Sequence, residues 1–302
     1  MPDKPPAEVL ISPELIRGLL ASQAADTVPD AVTLPLRKVA DGWDNELWRL
    51  GPELAVRLPR RALAAPLVLH EQQALPRISA VLEPLGIRVP APVVSGRPGD
   101  GFPWPWSVVP WFGGDGGLDI PRAARAAWAE PLAAALGALH TAAPEGFPVN
   151  PVRGVPLATR GRAVAERMAL LHEASDVPRG WLDTAESAWR SGLVAAEWSG
   201  PPVWIHGDLH PGNLVAQDGS LTAIIDFGDV TAGDPAYDLA VAWLAFDAYG
   251  REVFVAATGA RYDPATWTRA RAWAAAFAVL LLSHSDDDPD YARLGLEALE
   301  EL

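Results

Sequence analysis

The chain contains no cysteine. That absence excludes a disulfide framework, thiolate metal ligands and a cysteine nucleophile, and it suits a reducing compartment. Long hydrophobic runs are missing too: the longest apolar stretch, Ala272 to Leu282, falls far short of the roughly 20 residues that span a bilayer. The opening Met1-Pro-Asp-Lys-Pro-Pro has no apolar run behind a basic segment, so the expectation is a cytoplasmic protein without a membrane partner. Basic residues are scarce. With 24 Lys and Arg against 38 Asp and Glu, the formal net charge is −14, which disfavours a nucleic-acid partner. A cationic ligand would be welcomed by that charge, although acidic composition more often reflects solubility alone.

What is present describes a foldable chain with two kinds of sequence. Its 302 residues, 49% hydrophobic and 21% charged, are enough for one large domain or two lobes sharing a cleft. Residues 13 to 24 carry apolar side chains at helical spacing behind Ser12, a good N-cap, and Pro13, a good first helical residue. From Thr33 to Trp111 the pattern shortens to strand-like runs, among them Glu46-Leu-Trp-Arg-Leu, Leu54-Ala-Val-Arg-Leu and Trp106-Ser-Val-Val, with one helical stretch from Leu67 to Leu82. After the Gly-rich break at Gly113 to Gly117, Ala- and Leu-rich segments follow: Arg122 to His140, Leu157 to Ala174, Asp183 to Trp198, Tyr237 to Ala248 and Ala265 to His284. The expected fold is α+β: residues 1–112 form a small antiparallel sheet with one helix, and 113–302 form a larger, mainly helical lobe. The cleft at the hinge, near Pro110 to Gly114, is the default binding site.

The chemistry concentrates in His206-Gly-Asp-Leu-His-Pro-Gly-Asn213, followed by Leu221-Thr-Ala-Ile-Ile-Asp-Phe-Gly228. Phosphoryl transfer from a triphosphate needs a cation on the phosphates and a carboxylate that orients the acceptor hydroxyl and takes its proton. Asp208, Asn213 and Asp226 are oxygen-bearing side chains of the right kind, and Mg²⁺ takes carboxylate and amide oxygens. The competing reading is a pair of turns, since Gly, Asp, Asn and Pro are ordinary turn residues. His206 and His210 lack a third ligand at helical spacing and read as hydrogen-bonding loop residues more readily than as a zinc pair.

The pattern H-x-D-x-x-x-x-N with a later I-D-F-G resembles the catalytic and metal loops of protein kinases. The fuller wording HGDLHPGNLV, IIDFGD and GDPAYDLA is similar to the aminoglycoside phosphotransferase family, with its macrolide-kinase and other antibiotic-kinase relatives. The resemblance implies a protein-kinase-like bilobal fold, with ATP or GTP as phosphate donor and Mg²⁺ as cofactor. It implies Asp208 as catalytic base, Asn213 and Asp226 as metal ligands, and His206 and Asp238 as supports of the catalytic loop; Asp238 reads equally as a helix-capping residue. It implies a small hydroxyl-bearing acceptor and a monomer or dimer.

In the first lobe, the turn with Asp44 and Asn45 could cover phosphates or be an ordinary hairpin turn; it lacks a GxGxxG pattern. Arg57 stands where kinases carry a phosphate-binding lysine, and Glu71 resembles that cation's acidic partner. Arg57 then either grips phosphates or pairs with Glu71 to position a helix, and the two groups differ in geometry and hydration. Pro110 has no N–H, so a hinge donor must come from Trp111 or Phe112. His210, Asp247, Asp286 and Asp287 are candidates for holding the acceptor; each of the acidic ones reads also as a solvated loop or face. The expected activity is phosphorylation of an antibiotic hydroxyl, with a choline- or sugar-type metabolite kinase and a nucleotide-binding pseudokinase as alternatives.

Overall fold

A computed structural model describes residues 5–147, 150–174, 176–284 and 288–302. Helix α1 (Pro13–Gln23) begins where Ser12 caps it, the side-chain oxygen accepting the Leu15 N–H at 3.2 Å. An antiparallel five-stranded sheet follows, built from β1 (Leu36–Asp41), β2 (Asn45–Leu50), β3 (Leu54–Pro59), β4 (Val94–Gly96) and β5 (Trp106–Pro110), in the order β1-β2-β3-β5-β4. The two-residue period of a strand sorts β3 cleanly: Val56 and Leu58 are fully buried in a core with Trp48, Trp106 and the Ile16, Leu19 and Leu20 face of α1. Ala55 and Arg57 point the other way, paired with Val109 and Ser107 of β5, and line a cleft.

Helix α2 (Ala65–Leu82) belongs to both halves. Its Ala74, Leu75, Ile78 and Leu82 join the larger core, whereas Glu71 faces the cleft. The chain then crosses through β5 into β6 (Asp115–Gly116), which pairs with β8 (Leu214–Gln217); β8 in turn pairs with β9 (Ser220–Ile224). A second pair joins β7 (Val203–Ile205) to β10 (Thr231–Gly233).

Around these short strands pack α3 (Ala129–Leu139), α4 (Gly161–Ala174), α5 (Arg179–Val194), α6 (Ala236–Leu239), α7 (Val241–Ala245), α8 (Ala248–Ala257), α9 (Pro264–His284) and α10 (Pro289–Glu300). Helix α9 runs through the centre, buried against α4, α5, α6 and α10. No helix among the described residues is long and apolar enough to cross a membrane.

Several expected boundaries move. Arg122–Trp128 and Leu157–Arg160 are 3-10 turns that lead into α3 and α4, and the Tyr237 to Ala248 segment breaks into α6 and α7. Two helices were not anticipated. Asp247 caps α8, accepting the Gly250 N–H at 2.8 Å. Asp288 caps α10, which starts on Pro289, so the Asp-Pro step read as a loop is a helix start with proline at its first position.

Candidate active site

Strand β7 delivers the chain into a loop held from beneath. Asp238, with no exposed surface, accepts the backbone N–H of His206 at 2.7 Å and of Gly207 at 3.0 Å. His140 adds a contact to the same carboxylate at 3.2 Å, and its other ring nitrogen lies 2.7 Å from the Tyr262 hydroxyl. Gly207 has φ of +84°, and a Cβ there would run into the Asp229 carbonyl, so the turn requires glycine.

The His206 ring ties the two motifs together. Its Nδ1 accepts the Asp208 N–H at 3.1 Å, which places the proton on Nε2, and Nε2 donates to the Ile225 carbonyl at 2.9 Å. Asn213 is anchored by donating its side-chain N–H to the Asp208 carbonyl at 2.8 Å, while its backbone carbonyl accepts the Ile225 N–H at 2.9 Å. Asp226 follows directly, in the left-handed region at φ +57°, a conformation that costs a non-glycine residue about 1 kcal/mol and turns its half-exposed carboxylate into the cleft. Asp208, Asn213 and Asp226 are thus joined through backbone and side-chain bonds. The Asn213 side-chain oxygen receives no hydrogen bond from the described residues, and with the Asp226 carboxylate it makes a hard-oxygen pair that suits Mg²⁺.

Across the cleft, Arg57 donates to Asp226 at 2.7 Å and lies 3.3 Å from Glu71. Both are well buried, with side chains 14% and 6% exposed, so this is no surface pair. Burial pushes the Glu71 carboxyl up to about 7, more than the neighbouring Arg57 lowers it. One Glu71 oxygen is buried without a hydrogen-bond partner among the described residues, and the Arg57 Nε, the atom 3.3 Å from Glu71, meets it as an ion pair without hydrogen-bond geometry. The cleft encloses about 350 Å³. Its apolar walls include Leu47, Ala55, Val109, Val215 and Ile225, and Tyr291 closes one side near Asn213 and Asp226.

The remaining first-lobe candidates fall differently. The Asp44 carboxylate is engaged by Arg61 at 2.5 and 2.9 Å, and neither it nor Asn45 lines the cleft. Trp111 and Phe112 do line it, but the Trp111 N–H is committed to the Glu53 carbonyl at 2.7 Å. Of the two hinge donors only Phe112 keeps a backbone N–H without a partner among the described residues.

On the second-lobe side, His210 accepts the Gly212 N–H at 3.0 Å and holds Nε2 3.6 Å from Asp208. Asp247 serves as the α8 cap and lines neither the cleft nor the pocket beyond Asp208. Asp286 and Asp287 lie outside the described residues.

Sequence reasoning missed Arg153. This residue donates to Asp229 at 2.7 and 3.0 Å and to the Tyr237 hydroxyl at 2.8 Å, and its guanidinium stands 3.6 Å from Asp208. Burial raises the Asp208 carboxyl, but Arg153 and then His210 outweigh it and hold the group well below the usual carboxylate range. Asp229, which also accepts from Asn150 at 2.9 Å, moves the other way because burial prevails there. Asp229 and Tyr237 were visible as the last letter of IIDFGD and the centre of GDPAYDLA; Arg153 sits in irregular chain with no motif around it.

Residues 35–273 match the family model described as Phosphotransferase enzyme family. A homoserine kinase from Gluconacetobacter diazotrophicus is 36% identical over 145 residues, 46% of this chain and 43% of that protein, so the chain spans less than half the length of this curated relative. Among solved structures, the GDP and kanamycin complex of APH(2")-IIia gives a TM-score of 0.64 at 22% identity, covering 93% of this chain and 97% of the other. A macrolide 2'-phosphotransferase from Brachybacterium faecium gives 0.59 at 20% identity, covering 96% and 98%. Both likenesses are of fold, an antiparallel sheet region joined to a helical part. With the matched residues running from the first strand into α9, the chain belongs to the phosphotransferase enzyme family.

Proposed function

We propose that this protein transfers the γ-phosphoryl group of ATP or GTP to a hydroxyl of a small molecule, in the manner of a kinase. The observation that carries the reading is the bonded group Asp208, Asn213 and Asp226 at the mouth of an apolar cleft with Arg57 opposite. The nucleotide base fits between Leu47, Ala55, Val109 and Val215, with the Phe112 N–H as hinge donor. Solved relatives in complex with GDP, ATP and ADP support a nucleoside triphosphate as donor.

Asn213 and Asp226 would hold Mg²⁺, which when bound neutralises phosphate charge. Arg57, steadied by Glu71, offers its fork of donors to phosphate oxygens. Asp208 is ionised at neutral pH and accepts a hydrogen bond from the acceptor hydroxyl. As the acceptor oxygen bonds to the γ-phosphorus and the bond to the β-phosphate oxygen breaks, the hydroxyl proton passes to the Asp208 carboxylate and the nucleoside diphosphate leaves. A carboxylate so far below its usual range is a weak base, which suits a loose transition state where the proton leaves late.

An antibiotic as acceptor is supported by the kanamycin, gentamicin and streptomycin complexes among the structural relatives. A metabolite as acceptor is supported by the homoserine kinase relative. The test is phosphorylation by the purified protein with Mg²⁺ and ATP or GTP over a panel of antibiotics and hydroxylated metabolites. Nucleotide-dependent transfer that disappears in Asp208→Asn supports the reading. Binding of nucleotide with no transfer to any acceptor would leave a pseudokinase.

A further inference from the structure

A second pocket opens beside Arg153, the residue that also carries the ion pair with Asp229. It is small, about 50 Å³, and its walls include Arg153, Arg160, Arg167, Tyr237, Trp273 and Phe277. Arg153 belongs to this wall and its guanidinium also stands 3.6 Å from the Asp208 carboxylate, so one side chain is shared between the pocket and the catalytic loop.

The charge of that wall runs against the chain as a whole. Acidic residues outnumber basic ones 38 to 24, yet three arginines line this pocket. Arg153 is compensated by Asp229 and Asp208. Arg160 and Arg167 form no ion pair among the described residues. Arg160 has no hydrogen-bond or carboxylate partner among the described residues. Arg167 touches the Ala163 carbonyl at 3.4 Å and His284 at 3.5 Å, with no carboxylate in ion-pair contact among the described residues. Burial, and then the nearby Arg160 charge, lower the Arg167 pKa by more than the neighbouring Glu166 carboxylate raises it. The third observation is Trp273. Its side chain is only 3% exposed, it lines the pocket, and its indole N–H is buried with no partner among the described residues. Buried donors of this kind are ordinarily satisfied.

We propose that this pocket receives the acceptor's own anionic group, a carboxylate or a phosphate, so that the acceptor is a small hydroxylated molecule bearing an anion and not a polycationic aminoglycoside. The proposal rests on the phosphotransferase reading above. Guanidinium forks grip carboxylate and phosphate oxygens bidentately, whereas an ammonium-rich ligand placed against Arg160 and Arg167 would meet repulsion in a partly desolvated site. Tyr237 and Phe277 add apolar faces for the carbon skeleton.

The experiment follows the indole N–H resonances of full-length ¹⁵N-labelled protein, with the Trp273 signal assigned through Trp273→Phe. L-Homoserine, D-glycerate and glucose 6-phosphate serve as hydroxyl compounds with an anionic group, and kanamycin as the cationic one. At least one of the three anionic probes should shift the Trp273 signal saturably, and Arg160→Gln with Arg167→Gln should weaken that binding at least tenfold. A response to the two acids or to the phosphate alone distinguishes the carboxylate from the phosphate source. The proposal is overturned if kanamycin shifts the signal and the anions do not, if no anionic probe binds, or if the double variant binds them unchanged. Mg²⁺ and ATP added to the same sample report the other cleft. Nucleotide binding without anion binding removes the acceptor assignment alone, and failure of nucleotide binding removes the phosphotransferase reading itself.

Discussion

Asp238 holds His206 in place through the backbone, its buried carboxylate accepting the His206 N–H at 2.7 Å and, with the other oxygen, the Gly207 N–H at 3.0 Å. Two loop donors and His140 depend on one side chain. Asp238→Ala would leave all of them buried and unpaired, at a cost of about 3 to 5 kcal/mol. Asp238→Asn keeps one acceptor oxygen, so urea unfolding should show a smaller loss, while kcat falls in both because the Asp208 backbone is no longer fixed. Equal unfolding midpoints for Asp238→Ala and the parent protein would show that the loop is held by something else.

Asp208 and Asp226 differ in what they touch, and their variants should fail differently. Asp208→Asn removes the proton acceptor but keeps the shape of the loop; kcat should drop by about 10² to 10⁴, with little change in nucleotide affinity. Asp226→Ala removes one of the two oxygen donors proposed for Mg²⁺ and the Arg57 partner, so it should act first on the affinity for Mg²⁺ and nucleotide. Steady-state kinetics with both substrates varied separates the two. The roles are misassigned if the patterns are exchanged.

The extent to which the sequence foretold this site follows from which residues act locally. His206, Asp208 and Asp226 stand on loops after short apolar strands and Asn213 ends a 3-10 turn just before β8, so their order in the chain carries their proximity. The helix start at Ser12 and the β3 alternation were legible for the same reason, because capping and strand period are short-range. Arg153 was not. It reaches Asp208 from irregular chain 55 positions away by numbering, and only the packing of β10 and α6 decides which arginine arrives there. What holds Asp44 was not legible either: it sits in the expected hairpin, but its carboxylate is engaged by Arg61, beyond the next strand.

Arg153 should also govern the acid limb of stability. The Asp208 carboxyl lies below its ordinary value of 3.8 in the fold, so its contribution is present above that pH and is lost as pH falls. Arg153→Gln removes the cation chiefly responsible. The variant should therefore be less stable than the parent at neutral pH, and the gap should begin to narrow only below about pH 4, closing as Asp208 protonates in the folded parent well below that. Urea unfolding from pH 3 to 7 checks this, and a gap that stays constant across that range would refute it.

Glu71 shifts the opposite way and gives the opposite dependence. Its folded-state pKa is raised from 4.5 to about 7 by burial. The folded chain therefore binds the proton more tightly than the unfolded one, so the group's contribution is complete below 4.5 and is lost as pH rises towards 7. Glu71→Gln, which cannot ionise, should match the parent near pH 4 and exceed its stability by roughly 3 kcal/mol near pH 8. The same variant should bind nucleotide less well, because Arg57, released from Glu71, is free to turn fully onto Asp226, 2.7 Å away. A buried carboxylate that weakens the fold at the pH where it is charged is then retained for positioning the phosphate-facing cation. Stability curves that run parallel from pH 4 to 8, or unchanged nucleotide affinity in Glu71→Gln, would show that Glu71 plays neither part.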